Sequence, residues 1–197
     1  MSGRKNAKRV GNFVFTKTFI EGVYIVDVNK FGDERGYFME TYKEPDFVAG
    51  GITAKFVQDN QSSSAKRVLR GLHRQMNHPQ SKLVRVISGA VFDVAVDMRP
   101  KSPTYAKWVG VKLSAENCRQ LFIPRGFAHG FLTLEDNTQF CYKCDDVYHP
   151  NDEAGIMWND PVIGIKWPDI DGVPTTADTV ILSAKDKVND RLEILPD

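Results

Sequence analysis

Residues 90–98, AVFDVAVDM, alternate so regularly that an extended strand is the conformation that sorts them. Phe92, Val94, Val96 and Met98 fall on one side, and Val91, Asp93, Ala95 and Asp97 on the other. That period of two predicts a half-buried strand, because a helix would mix the two sets. Ser88-Gly89 just before it supplies turn chemistry. Similar runs recur along the chain. FVFTKTFIEGVYIVDVNKF, KWVGVKLS, QLFI and FAHGFLTL are rich in β-branched and aromatic residues, and turn residues such as Asp33–Gly36 and Glu135-Asp136-Asn137 separate such runs. YFMETY reads as a strand, and KFVQDNQSSS as a strand that ends in a polar loop. Residues 43–50, KEPDFVAG, have Pro45 near the start and Gly50-Gly51 at the end, which predicts a short helix. From Pro150 onward Pro and Gly recur too often for long elements, and LSAKDKVNDRLEIL is the place for one further short helix. Many short strands with turns every 8–12 residues or so point to a closed or sandwiched all-β domain.

A chain of 197 residues suits a single domain with a substantial core. The basic opening, residues 1–12, reads as a flexible arm, and residues 13–197 as the domain. A formal net charge of +1 gives no global field for nucleic acid. No apolar run approaches the roughly 20 residues that span a bilayer, and no hydrophobic signal segment opens the sequence. The 3 cysteines, an odd number, argue for a reducing compartment, hence the cytoplasm. Cys141 and Cys144 form a C-x-x-C, but within a strand-like run and without the helix or extra ligands that would give the spacing a redox or zinc meaning.

The chemistry-bearing stretch is residues 67–89, RVLRGLHRQMNHPQSKLVRVISG. It puts His73 and Lys82 on neighbouring strands, a pair suited to taking a proton and stabilising the resulting anion. Its spacing, G-x-H-x-Q-x6-K-x6-G, and that of PRGFAHGFLT, P-x-G-x2-H-x3-T from Pro124 to Thr133, resemble the two motifs of the cupin superfamily. That resemblance implies a double-stranded β-helix, or jelly-roll, barrel with N-terminal strands and short peripheral helices. In metal-binding cupins the positions of Gln75 and Lys82 carry a histidine and a glutamate ligand. An amide and an ammonium there leave too few ligands, so no metal and no cofactor are expected.

A closer resemblance runs from Phe15 to about Leu195. GDERGYFMET, FVQDNQSSS, VLRGLH, KLVRVISGAVFDVAVDMR, IPRGFAHGF, YKCDDVYHP, GIMWNDP and LSAKD, in that order, are similar to the dTDP-4-dehydrorhamnose 3,5-epimerase family. The resemblance implies inversion of C3 and C5 of dTDP-4-dehydro-6-deoxy-D-glucose; a mono-epimerase acting at C3 or C5 alone is the alternative. Both carbons lie α to the C4 ketone, so the site needs a base, a donor for the enolate oxygen and an acid on the opposite face. By resemblance His73 is the base, with Asp186 as the carboxylate that fixes its tautomer. Lys82 then stabilises O4, and Tyr142 delivers the proton. The resemblance assigns substrate contacts to Arg35, Phe38, Glu40, Gln58 and Asn60, and also to Arg70, His129, Glu153 and Lys185. It further implies a homodimer in which the Arg35–Glu40 segment completes the partner's site. Arg70 and His73 differ in strand parity, so a regular strand would point them to opposite faces. Either a bulge at Gly71 or entry of Arg70 from the barrel rim would reconcile them.

Overall fold

The computed structural model describes residues 6–192. Two antiparallel sheets pack face to face. The larger has the order β1 (Ala7–Val10), β2 (Phe13–Lys17), β3 (Tyr24–Val28), β11 (Gln120–Ile123), β8 (Lys82–Ser88), β13 (Thr138–Cys144) and β6 (Gln58–Ser64). The smaller has the order β10 (Trp108–Ser114), β9 (Ala90–Asp97), β12 (Phe127–Thr133), β7 (Leu69–Gln75) and β14 (Glu153–Gly155). Neighbours within each sheet are mostly distant in sequence, and the facing sheets form the expected jelly roll. A separate hairpin of β4 (Phe31–Asp33) and β5 (Gly36–Phe38) carries exposed residues throughout. Among the described residues no helix is long and apolar enough to cross a membrane.

Alternation sets the layers. Val84 and Val86 of β8 meet Val91 and Ala95 of β9 in a core between the sheets, with Leu121, Phe131 and Phe140. The opposite side of β9 is also covered: Val94 and Val96 pack with Leu72, Ile156 and Ile163 under the C-terminal segment. The strand expected to be half-buried is therefore enclosed on both faces. On the outside of the larger sheet, α1 (Glu44–Gly50) presses Phe47 onto Phe13 and Phe15, with ring centroids 5.0 and 5.2 Å apart. Its termini fit the rules: Pro45 and the acidic Glu44 and Asp46 occupy the first turn, and Gly51 closes it in the left-handed region at φ 103°.

Three further expectations change. The N-terminal arm expected over residues 1–12 contains β1, paired with β2, because residues 7–10 supply backbone hydrogen bonds at a sheet edge. KFVQDNQSSS, expected to begin as a strand and end in a polar loop, does the reverse: residues 55–57 lie outside any strand, and Gln58–Ser64 is β6, paired along its length with β13. Its polarity reflects what it faces, since Gln58, Asn60 and Ser62 border cavities between the sheets. The short helix expected within 182–195 is replaced by turns over the residues described there; 193–195 lie outside them.

The register between β7 and β12 decides the site. His73 pairs with His129 and Arg70 with Phe131, so β7 accommodates one more residue than β12 in that interval. Gly71 sits in this bulge at φ 119°, and a Cβ there would lie 2.6 Å from the Gly130 Cα and 2.7 Å from the His129 carbonyl oxygen. Only glycine permits that approach. The extra residue cancels the parity difference, and Arg70 and His73 border the same cavity.

Candidate active site

Two connected hollows open between the sheets, of about 230 Å³ and about 500 Å³, and both are bordered by His73, Lys82, His129 and Tyr142. His73 and His129 come from the smaller sheet, Lys82 and Tyr142 from the larger, so the cleft has a different set of groups on each wall.

His73 is held between two carboxylates. Its Nε2 lies 2.5 Å from Asp186 Oδ1, and its Nδ1 lies 3.5 Å from Glu153 Oε1. Asp186 is 3% exposed. Its Oδ2 accepts a hydrogen bond of 2.8 Å from the Ser183 hydroxyl, whose oxygen accepts from the Asp186 N–H at 3.1 Å. Burial alone would raise the Asp186 pKa; the bonds from His73 and Ser183 outweigh it and hold the carboxyl below its ordinary range. Glu153 is similar. Burial opposes ionisation, but Lys185 at 2.6 Å and the Tyr148 hydroxyl at 2.7 Å hold it low.

On the facing wall, burial pulls the Lys82 ammonium below the ordinary lysine range, against the attraction of Cys144, Asp93 and Glu153. Its Nζ lies 5.7 Å from the centroid of the Tyr142 ring. Burial, then Cys144, push the Tyr142 phenol up, and Arg70 only partly offsets this. Tyr142 therefore stays protonated across the neutral range. Cys144, the cross-strand partner of Lys82, is pushed up to about 11 by burial and remains a neutral thiol. It is buried while Cys141, three positions back on the same strand, is half-exposed, and both are free.

Among the remaining expected residues, Gln58, Asn60, His129 and Glu153 border the smaller hollow and Arg70 the larger. Lys185 reaches the site through Glu153. Arg35, Phe38 and Glu40 do not join them. Arg35 pairs with Asp33 on the exposed hairpin, Phe38 is 68% exposed, and Glu40 accepts from Asn12 at 2.5 Å. Gln75, at the second histidine position of the cupin motif, is spent on loops: its Nε2 donates to the His78 carbonyl at 2.6 Å and its Oε1 accepts from the His149 N–H at 2.7 Å. With that amide engaged and an ammonium at position 82, the donor set does not fit a divalent cation.

Three residues escaped the sequence reading. Asp93 is fully buried and lies 2.9 Å from His129 Nε2, forming a second His–carboxylate pair. A carboxylate between Val91 and Ala95 was the available signal, since a buried carboxylate needs a partner. Tyr148 and Ser183 carried no comparable mark.

The arrangement offers a general base with an oriented ring, a fixed cation and a protonated phenol around one cleft. The family model described as dTDP-4-dehydrorhamnose 3,5-epimerase matches residues 17–193. This chain belongs to that family. A dTDP-4-dehydrorhamnose 3,5-epimerase from Methanothermobacter thermautotrophicus is 52% identical over 178 residues, 90% of this chain and 94% of that one. Among solved structures, a dTDP-6-deoxy-D-glucose-3,5-epimerase from Legionella pneumophila in complex with dTDP-4-keto-L-rhamnose superposes with a TM-score of 0.83. It is 47% identical and covers 90% of this chain and 91% of its own. A 3'-monoepimerase from Streptomyces bikiniensis in complex with dTDP-quinovose is also similar, with a TM-score of 0.79 and 31% identity, covering 88% of this chain and 85% of its own.

Proposed function

We propose that this family member inverts C3 and C5 of dTDP-4-dehydro-6-deoxy-D-glucose, giving dTDP-4-dehydro-L-rhamnose. The observation that carries the reading is the division of labour between the two walls. A carboxylate-anchored imidazole stands on one sheet, and an ammonium and a phenol stand on the other. Asp186 takes the Nε2–H, which leaves the Nδ1 lone pair of His73 to abstract the proton α to the ketone. The electrons move onto O4, where Lys82 stabilises the enolate oxygen. Tyr142 gives its proton to the opposite face of the same carbon, and the C4 carbonyl re-forms. The developing enolate charge favours the protonated form of Lys82, against the burial that pulls its pKa down. Arg70, Gln58, Asn60 and His129 supply the polar contacts for the nucleotide sugar, with Lys185 beside Glu153 at the cleft mouth.

The exposed hairpin carrying Arg35 and Phe38 supports a homodimer in which that segment reaches a partner's cleft, since neither side chain borders its own. Three free thiols suit a reducing, cytoplasmic setting. Proton NMR of the substrate with enzyme in heavy water tests the reading. Deuterium entering at both C3 and C5 is expected; label at one carbon alone makes the chain a mono-epimerase, and label at neither refutes the chemistry.

A further inference from the structure

Each inversion leaves the site out of balance. His73 has gained the proton taken from carbon and Tyr142 has lost the one it delivered, so a second inversion must wait until both are reset. Asp186 is a dead end for that proton: it is 3% exposed and both of its oxygens are occupied, by His73 and Ser183. The second carboxylate is different. Glu153 Oε2 is fixed by Lys185 at 2.6 Å and Tyr148 at 2.7 Å, while Oε1 lies 3.5 Å from His73 Nδ1, the nitrogen that Asp186 leaves free. Tyr148 and Lys185 are about half-exposed, at 50% for Tyr148 and 51% for the Lys185 side chain, so Glu153 links the part-buried His73 to polar groups at the cleft mouth.

We propose that Glu153 is the proton exit for His73, resetting the base between the two inversions. The assignment rests on the epimerase reading above. In the step, the His73 Nδ1–H bond breaks and an O–H bond forms at Glu153 Oε1, directly or through one water. The carboxylic acid then passes its proton to solvent at the mouth beside Tyr148, and Tyr142 recovers its proton from the same medium. No net charge is gained or lost over the cycle. The bonds from Lys185 and Tyr148 favour the ionised carboxylate, so the proton is handed on and not stored. Two carboxylates thus hold one imidazole with separate duties: Asp186 orients it and Glu153 empties it.

The test uses Glu153→Gln, which keeps the shape and the oxygen facing Tyr148 but puts an NH2 that cannot accept a proton beside His73. Rapid-quench NMR in heavy water compares the first inversion of bound substrate with steady-state turnover. The expected result is a ratio of first-inversion rate to turnover raised at least about tenfold over the parent enzyme. Turnover, and not the first inversion, should rise saturably with added imidazole or formate. Tyr148→Phe, which leaves Glu153 in place, should raise the ratio less. If first inversion and turnover fall together in Glu153→Gln with no response to buffer, Glu153 is a substrate or folding contact and the exit is refuted. If the parent enzyme exchanges no deuterium at C3 or C5, it is the epimerase reading that fails.

Discussion

Replacing Asp186 by asparagine preserves shape and removes only a charge and an acceptor, yet it should reverse the tautomer of His73. The reason lies in Ser183. Its hydroxyl proton goes to Asp186 Oδ2, and its oxygen is already taken by the Asp186 main-chain N–H. The asparagine oxygen therefore stays on the Ser183 side and the NH2 is turned to His73 Nε2. An imidazole facing a donor presents its lone pair there and carries its proton on Nδ1, the cleft-side nitrogen that has to act as base. Flipping the amide back sacrifices two hydrogen bonds at about 1–3 kcal/mol each, with a buried donor left unpaired. The combined cost of about 2–6 kcal/mol corresponds to a fall in kcat of roughly 30-fold to 10⁴-fold. The same change in a Ser–His–Asp triad costs about 10⁴. The assay is deuterium incorporation in heavy water, with a thermal melt to verify folding. Removing the Ser183 hydroxyl as well frees the amide to rotate, so Ser183→Ala/Asp186→Asn should be more active than Asp186→Asn alone. An Asp186→Asn enzyme that retains more than about a tenth of its activity would refute the tautomer argument.

Lys82→Met should lower kcat by about 10²–10³ through loss of the oxyanion donor. It should also leave the thermal midpoint unchanged or higher, because a buried ammonium no longer has to be desolvated. Gly71→Ala brings a Cβ against backbone on β12 at a positive φ. A cost of about 3 kcal/mol is expected, a drop of roughly 6–12 °C by calorimetry for a domain of this size. At pH 8, Cys144 should react with iodoacetamide at least about 100-fold more slowly than a free thiol of pKa about 8.5, since burial pushes it up to about 11; peptide mass mapping after timed quenching reads this. Asp97 accepts from Arg99, Ser102 and Thr104, and Asp186 from His73 and Ser183, so both carboxyls lie below their unfolded values in the folded chain. Depressed folded pKa values give stability that is present above about pH 4 and is lost as pH falls through the folded values. Urea midpoints should therefore be steady from pH 7 to about 5 and decline steeply below about 4, less so in Asp97→Asn.

The strands between the sheets were legible because their residues obey two rules at once, period two and apolarity, as in Ala90–Asp97. Polar strand β6 was not, because the signal for a strand assumes an apolar interior and this strand borders a cleft with polar walls. His73 and Lys82 could be read as a pair from local spacing. Whether Arg70 joined them depended on one bulge residue, and sequence could pose that question without answering it. Asp186 was the least accessible. It sits in a turn over 183–188 with no periodicity, and what delivers it to His73 is tertiary: Leu69 and Arg67 bond to Ile181 on one side, and Met157 bonds to Asp190 on the other.

That suspension has a consequence for how the enzyme fails. The carboxylate that orients the base belongs to no sheet, only to a strap tied down at Ile181 and near Asp190, while the barrel beneath it has its own core. Opening the strap costs a few main-chain hydrogen bonds and little apolar surface, far less than global unfolding. Activity should therefore vanish on heating or in mild denaturant while the strand signal is intact, with protease cutting first in 183–188. In this fold the proposed His73–Asp186 dyad doubles as a gauge of whether the last dozen described residues are in place.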